Sequence, residues 1–224
     1  MDVVSAIVFI LLMTICLGLI YLIHKYFGKE QFYLLGIIYS VVSFILSFKL
    51  INVFGININA NIIFTSGILL ILYYFVNRYN EKESRKFIIT ILITSLMCMT
   101  FFGLTVFMIP SIYDKMSVFY QSLILDNLAI LILYPISFAI TMFLSEYCFR
   151  ELKDVEKKKN LKLIFVILSI MFIDTAIFTY FSYAFIIRFD TAMMIAIDCY
   201  LFKTVMMIVY VLIVNRLFTV RKVK

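Results

Sequence analysis

The sequence predicts an all-α, polytopic helical bundle embedded in a lipid bilayer, with about seven membrane-spanning helices (six and one more) in a single integral domain over residues 1–224. Two observations carry that expectation. Apolar stretches recur from end to end: hydrophobic residues make up 65% of the chain and mean hydropathy is +1.09, far more apolar surface than a soluble domain uses. The basic residues, moreover, gather in alternate connections between those stretches. A helix needs about 20 apolar residues to cross the hydrocarbon core, and the stretches long enough run over 3–23, 31–52, 56–76, 87–110, 121–148, 163–187 and 192–214. Lys25, Lys29, Arg78, Lys82, Arg85 and Lys86 then fall on one side. So do Arg150, Lys153, Lys157, Lys158, Lys159 and Lys162, and the tail residues Arg216, Arg221, Lys222 and Lys224. The other side receives Lys115 and Arg188. An excess of Lys and Arg marks the cytoplasmic face, so the amino terminus is expected outside and the carboxyl terminus in the cytoplasm.

The first stretch has no basic segment before it and no A-x-A-like cleavage site after it, so it reads as a retained span and not a signal peptide. The stretches are too long for the strands of a membrane barrel and do not alternate as such strands do, which leaves helices. GININAN at 55–61 is the least helical apolar piece, with Asn57, Asn59 and Asn61 spaced by two. It reads as the outer loop between the second and third spans, with a re-entrant turn as the alternative. The fifth stretch contains Pro135, which is expected to kink it. The longest polar connections, 77–86 and 149–162, are too short for further domains. No internal repeat is evident, and an odd number of spans does not divide into two inverted halves.

The formal charge of +7 sits in short loops beside the spans, where topology and anionic headgroups account for it. Nucleic acid is therefore not an expected partner. Cys16, Cys98, Cys148 and Cys199 are scattered without a C-x-x-C, giving neither a disulfide framework nor a zinc site. Heavy use of Ile, Phe, Tyr, Lys and Asn with no Trp suggests an AT-rich bacterial genome, hence a bacterial cell membrane.

An ionisable side chain at the centre of a membrane helix costs at least about 2.5 kcal/mol, so each one calls for a reason. Asp174 and Lys203 lie midway along the last two spans, each roughly 17 Å from a helix end. The short loop between those spans makes them antiparallel, so the two charges are expected to meet at the midplane and face the interior. The pair is either a polar substrate or proton site, or a buried ion pair that fixes how two helices pack. Asp198, about 140° around the helix from Lys203, cannot share a small site with it and is expected nearer the outer end, along an access path. Phe178, Phe181 and Phe185 follow Asp174 at i+4, i+7 and i+11, and Tyr200 precedes Lys203 by one turn. These rings are core packing or a stacking wall for a flat heterocycle. Asp126, Glu146 and Lys49 lie toward span ends and are expected to snorkel to the interface.

Enzyme chemistry finds little support. The single histidine, His24, stands at a membrane edge without an H-E-x-x-H, and Cys16 is poorly placed to act with it. Walker and aspartate-rich diphosphate motifs are absent, so binding and passage are what the residues offer.

Several segments together resemble the VUT family of bacterial membrane proteins, the queuosine-precursor transporters. IMFIDTAIFTYFSYAF at 170–185 is similar to that family's I-D-T-x-I-F signature, and YLFKTVMMIVYVLIV at 200–214 to its last span with its lysine. FKLINVFGI at 48–56 and NRYNEKESRKFI at 77–88 resemble the region that carries D-x-x-x-E-x-Y-G and a basic tail. The resemblance covers about residues 32–214. The chain departs from it with Tyr73, Asn77 and Asn80 in place of the acidic pair and glycine, with Met171 in place of a polar residue, and without the final-span proline. Asp174, Thr175, Phe178, Lys203, Tyr79 and Arg85 match. The resemblance implies import of a flat deazapurine. Asp174 would accept from its donor edge, Phe178 and Tyr200 would stack, and Lys203 would keep Asp174 ionised. The alternatives are the substrate-binding component of an energy-coupling-factor vitamin transporter and a non-transporting sensor or assembly protein. Expected partners are a small-molecule substrate and the bilayer, with room for a coupling ion or a homo-oligomer; no cofactor or metal is expected.

Overall fold

Hydrocarbon offers a backbone no water, so an apolar segment that crosses it must satisfy its own N–H and C=O groups, and a helix does so. The computed structural model of this chain describes residues 2–108, 111, 117–153 and 159–219. In chain order these form α1 (Asp2–Tyr26), α2 (Lys29–Leu46), strands β1 (Leu50–Val53) and β2 (Ile56–Asn59), α3 (Ile62–Arg78) and α4 (Glu81–Thr105). Then come α5 (Ser117–Leu125), α6 (Leu128–Lys153), α7 (Lys159–Asp174), a π-helix (Thr175–Tyr180), α8 (Phe181–Ala184) and α9 (Phe189–Thr219). Among the described residues six helical segments are long and apolar enough to cross a membrane: α1, α2, α4, α6, the continuous run from α7 to α8, and α9. The fold is an all-α membrane bundle.

The remaining apolar helix, α3, has 17 residues, about 26 Å at 1.5 Å per residue and at the short limit for a span. It is apolar all round, which is the pattern of a buried helix, and it runs through the centre with α1, α2, α4, α6 and α9 against it. Two glycines permit the closest approaches. A Cβ on Gly67 would stand 2.7 Å from Cys16 Sγ, and one on Gly36 would stand 2.6 Å from the Phe87 ring.

Three boundaries differ from those the sequence suggests. The second and third apolar stretches are separated by a hairpin. β1 and β2 pair antiparallel with Asn52 opposite Asn57, and the two-residue turn Phe54–Gly55 has positive φ at both positions, 55° and 80°. The spacing of Asn57 and Asn59 by two is the period of a strand. The fifth stretch breaks at residues 126–127: Asp126 N–H returns to Ser122 O, and Asn127 Nδ2 donates to Leu123 O at 2.8 Å. Turn-forming Asp and Asn close α5 before α6 begins, and α6 continues past the buried Pro135. Finally, the polar connection at 77–86 shrinks to Tyr79 and Asn80, because Asn80 caps α4 by accepting from Glu83 N–H at 3.1 Å. α6 likewise runs on to Lys153 and α7 starts at Lys159. Charged Glu, Lys and Arg are good helix formers and extend the helices beyond their apolar parts. Pro110, Lys115, Lys157, Lys158, Arg221, Lys222 and Lys224 lie outside the described residues.

Successive long helices alternate in direction, which gathers Lys25, Lys29, Arg78, Lys82, Arg85, Lys86, Arg150 and Lys153 at one end. This is the basic end. The hairpin marks the opposite one, with Arg188 and Asp190.

Candidate functional site

Asp174 is the last residue of α7, and the backbone changes to π-helical pairing immediately after it. Such i→i+5 turns are rare and often stand at functional sites. The π-helix packs on α9, where Ala192 and Ala196 recur one turn apart and are buried. Along the helical run, Asp174 is about 20 Å from the Leu161 end and about 15 Å from the Ala184 end. It stands at mid-depth.

Lys203 Nζ donates to Asp174 Oδ2 at 2.7 Å. The other carboxylate oxygen, Oδ1, accepts from Ser137 Oγ at 3.2 Å and Thr141 Oγ1 at 3.0 Å. Those hydroxyls are four residues apart on α6 and so share one face. The side chains of Lys203 and Asp174 are 2% and 13% exposed, and the charges offset each other where neither could stand alone. The Phe178 ring lies 5.9 Å from Lys203 Nζ, within cation–π range. Tyr134 meets Phe178 edge-on at 5.6 Å and stacks on Phe138 at 5.7 Å. Three helical layers thus converge on one carboxylate.

The hydroxyls around the pair behave unlike those elsewhere. On the regular helices, Thr90, Thr94, Thr100 and Ser169 each donate back to the carbonyl four residues earlier. By contrast, the side-chain oxygens of Thr175, Ser182 and Thr204 are buried and have no hydrogen-bond partner, while buried Ser43 and Tyr134 have only each other and Thr179 has only the Cys199 thiol. Buried polar atoms are nearly always paired, so the spare oxygens of Thr175, Ser182 and Thr204, on the segments that carry Asp174 and Lys203, mark a polar region in an apolar bundle.

Of the residues that the sequence suggests for a site, the structure brings together Asp174, Lys203 and Phe178. Tyr200 is on another side of α9: its ring meets Phe172 at 6.0 Å and lines an outward apolar groove with Ala176, Tyr180 and Met193. Phe181 and Phe185, expected in line with Asp174, are 48% and 77% exposed. The π-turn explains this, because its extra residue rotates everything after it away from the α-helical phase. Asp198 Oδ2 accepts the Asn57 N–H at 3.3 Å and holds the hairpin. Asp126 is exposed in the α5–α6 turn, and Lys49 is exposed just before β1.

Glu146 does not snorkel. It is buried, accepting from Ser84 Oγ at 3.0 Å and Arg150 Nε at 2.9 Å, with Arg150 Nη2 closing the ion pair. Tyr73 packs edge-on against Phe149, and Asn77 bonds to the Tyr73 carbonyl of its own helix. Neither is at the Asp174 site. Tyr79 packs on Phe75, and Arg85 pairs with Glu81 at 2.5 Å at the start of α4. His24 Nδ1 is 3.3 Å from Tyr74 OH. Among the described residues no three His, Cys, Asp or Glu side chains group as a metal site requires.

Sequence reasoning missed Tyr134, Ser137 and Thr141. A signal was present: two hydroxyl residues four apart on an otherwise apolar helix, directly after Tyr-Pro, present both hydroxyls on a single face. No family model, curated protein or solved structure matches the chain.

Proposed function

We propose that this protein is a membrane transporter for a small polar solute, with the Asp174–Lys203 pair as its binding site. The observation that supports this reading most is the composition of the carboxylate's surroundings. An ionised carboxylate has about four lone-pair positions, and three of Asp174's take Ser137, Thr141 and Lys203. A solute with an N–H edge can take the remaining position, or displace a hydroxyl, and find the unpaired oxygen of Thr175 and the weakly paired one of Thr179 close along the chain. Phe178 and Tyr134 supply apolar faces for a flat ring. The solute class that fits is a planar heterocycle rich in donors. A 7-deazapurine precursor of queuosine is the member of that class to which the VUT resemblance points.

Uptake of a labelled queuosine precursor, in bacterial cells unable to make it, is the direct test. Asp174→Asn keeps the volume of the side chain and removes its charge. Hydrogen bonds to charged groups are worth about 1.5–3 kcal/mol, so apparent affinity should fall by roughly ten- to a hundredfold. Normal uptake by Asp174→Asn at a normal membrane level would leave the pair a packing device and the chain a sensor or assembly protein.

The proposed setting is the bacterial cytoplasmic membrane with the basic end inside, following the Lys and Arg excess. A reporter fused after Lys86 should then read as cytoplasmic; an external reading would invert the orientation.

A further inference from the structure

We propose that the β1–β2 hairpin is a gate over the Asp174–Lys203 site and that Asn59 is its latch. The inference rests on reading that pair as the solute site. Two strands of four residues are marginal as a free hairpin, so this one keeps its place by docking. Its docking contacts converge on Asn59, which is wholly buried. Nδ2 donates to Ser47 O at 2.8 Å and to Tyr183 OH at 2.7 Å, and Oδ1 accepts from Asn61 N–H at 2.9 Å. The Asn59 N–H meets Cys199 Sγ at 3.4 Å. A further polar tie to α9 is Asn57 N–H on Asp198.

What lies beneath the latch gives it a purpose. Cys199 is four residues before Lys203 on α9, one turn above it on the same face. Thr179, and then Ser182 and Tyr183, continue on the facing segment from the π-helix into α8. The side-chain oxygens of Asn61 and Ser182 are buried without partners, and Thr179 has only the Cys199 thiol. A run of unpaired or weakly paired oxygens from the hairpin toward an ion pair is what a partly hydrated solute would satisfy on its way in. Toward the basic end the helices are closed instead by the fully engaged Glu146–Arg150–Ser84 cluster. The hairpin is also strained at its tip: a two-residue turn with positive φ favours Asn-Gly, and here Phe54 takes the first position. Undocking the hairpin exposes Cys199 first and Lys203 next.

Cys199 itself reports the gate. With Cys16, Cys98 and Cys148 replaced by Ser, it is the single thiol, and a small water-soluble methanethiosulfonate reagent should modify it slowly in the full chain in membranes. Asn59→Ala should speed modification by about tenfold or more, since local opening controls access to a buried group. Tyr183→Phe removes one hydroxyl partner of the latch and is the gentler variant. It should speed modification by about threefold, one hydrogen bond's share. Equal rates in the parent and in Tyr183→Phe, or in the parent and in a well-folded Asn59→Ala, would overturn the proposal. So would a parent thiol as reactive as a cysteine placed at the exposed Phe54. Thiol labelling does not depend on uptake, so a failed gate and a failed solute site are told apart.

Discussion

Two buried acid–base pairs share this bundle, and they are built in opposite ways. Glu146 and Arg150 are one turn apart on a single helix, near the basic end, where Arg150 keeps 27% of its side chain exposed. Asp174 and Lys203 are 29 residues apart on two helices at mid-depth, and Lys203 is only 2% exposed. The first pair forms as soon as α6 forms, and it fully engages its one neighbouring hydroxyl, Ser84. The second exists only once α7 and α9 have docked, and the unpaired oxygens of Thr175, Ser182 and Thr204 stand on the same segments. A pair that serves packing alone has no reason to gather unsatisfied oxygens, each of which opposes folding when buried. The contrast fits a packing role for Glu146–Arg150 and supports the proposed solute site at Asp174–Lys203.

The sharpest way to break that contrast is to remove one member of the central pair. Lys203→Met leaves the Asp174 carboxylate buried with hydroxyl donors only. Stranding one partner of a buried pair costs about 3–5 kcal/mol, a large part of a typical stability margin. Thermal unfolding in detergent should show a steep loss or no stable protein. Combining it with Asp174→Asn removes the stranded charge and should recover most of the stability, because a neutral polar or apolar substitute for a buried pair is often tolerated. The recovered double variant should still fail to import. Recovery of both stability and uptake would make the pair dispensable to function.

The sequence made this central pair legible, because ionisable residues in apolar spans have few places to go. Asp174 and Lys203 could be matched in depth by counting residues alone. Phe178 was legible as the i+4 neighbour of Asp174, a spacing that the π-helix preserves. Tyr200, Phe181 and Phe185 were not, since the extra residue of the π-turn has no signature that a 3.6-residue period reveals. The seven apolar stretches were legible as helices, but the hairpin was hidden inside two of them. Strands β1 (LINV) and β2 (ININ) are short enough to merge with the apolar runs on either side, and only the alternation of Ile with Asn sets them apart. Ser137 and Thr141 escaped notice because hydroxyls inside membrane helices usually bond to their own backbone, as Thr90 and Thr94 do. Only the tertiary partner Asp174 distinguishes them.

The smallest effect sharpens the comparison from the other side. Glu146→Gln keeps a carbonyl oxygen to accept from Ser84 and Arg150, and it removes the charge. Arg150 is then unpaired, yet it is not stranded, because a long side chain near a helix end can carry its guanidinium to the headgroup region. Partly exposed ion pairs contribute about 0–1 kcal/mol, so unfolding should shift by about that much and no more. Uptake should be unaffected, since Glu146 is nine residues beyond Ser137 and Thr141 lies between, a little over one turn from each along α6. The measurement is the same thermal unfolding and uptake pair used for Lys203. A loss from Glu146→Gln as large as that from Lys203→Met would mean that both pairs are sealed from water to the same degree. A loss of uptake with the fold intact would extend the solute route past Thr141 to the basic end, and the Glu146 cluster would then be its second gate.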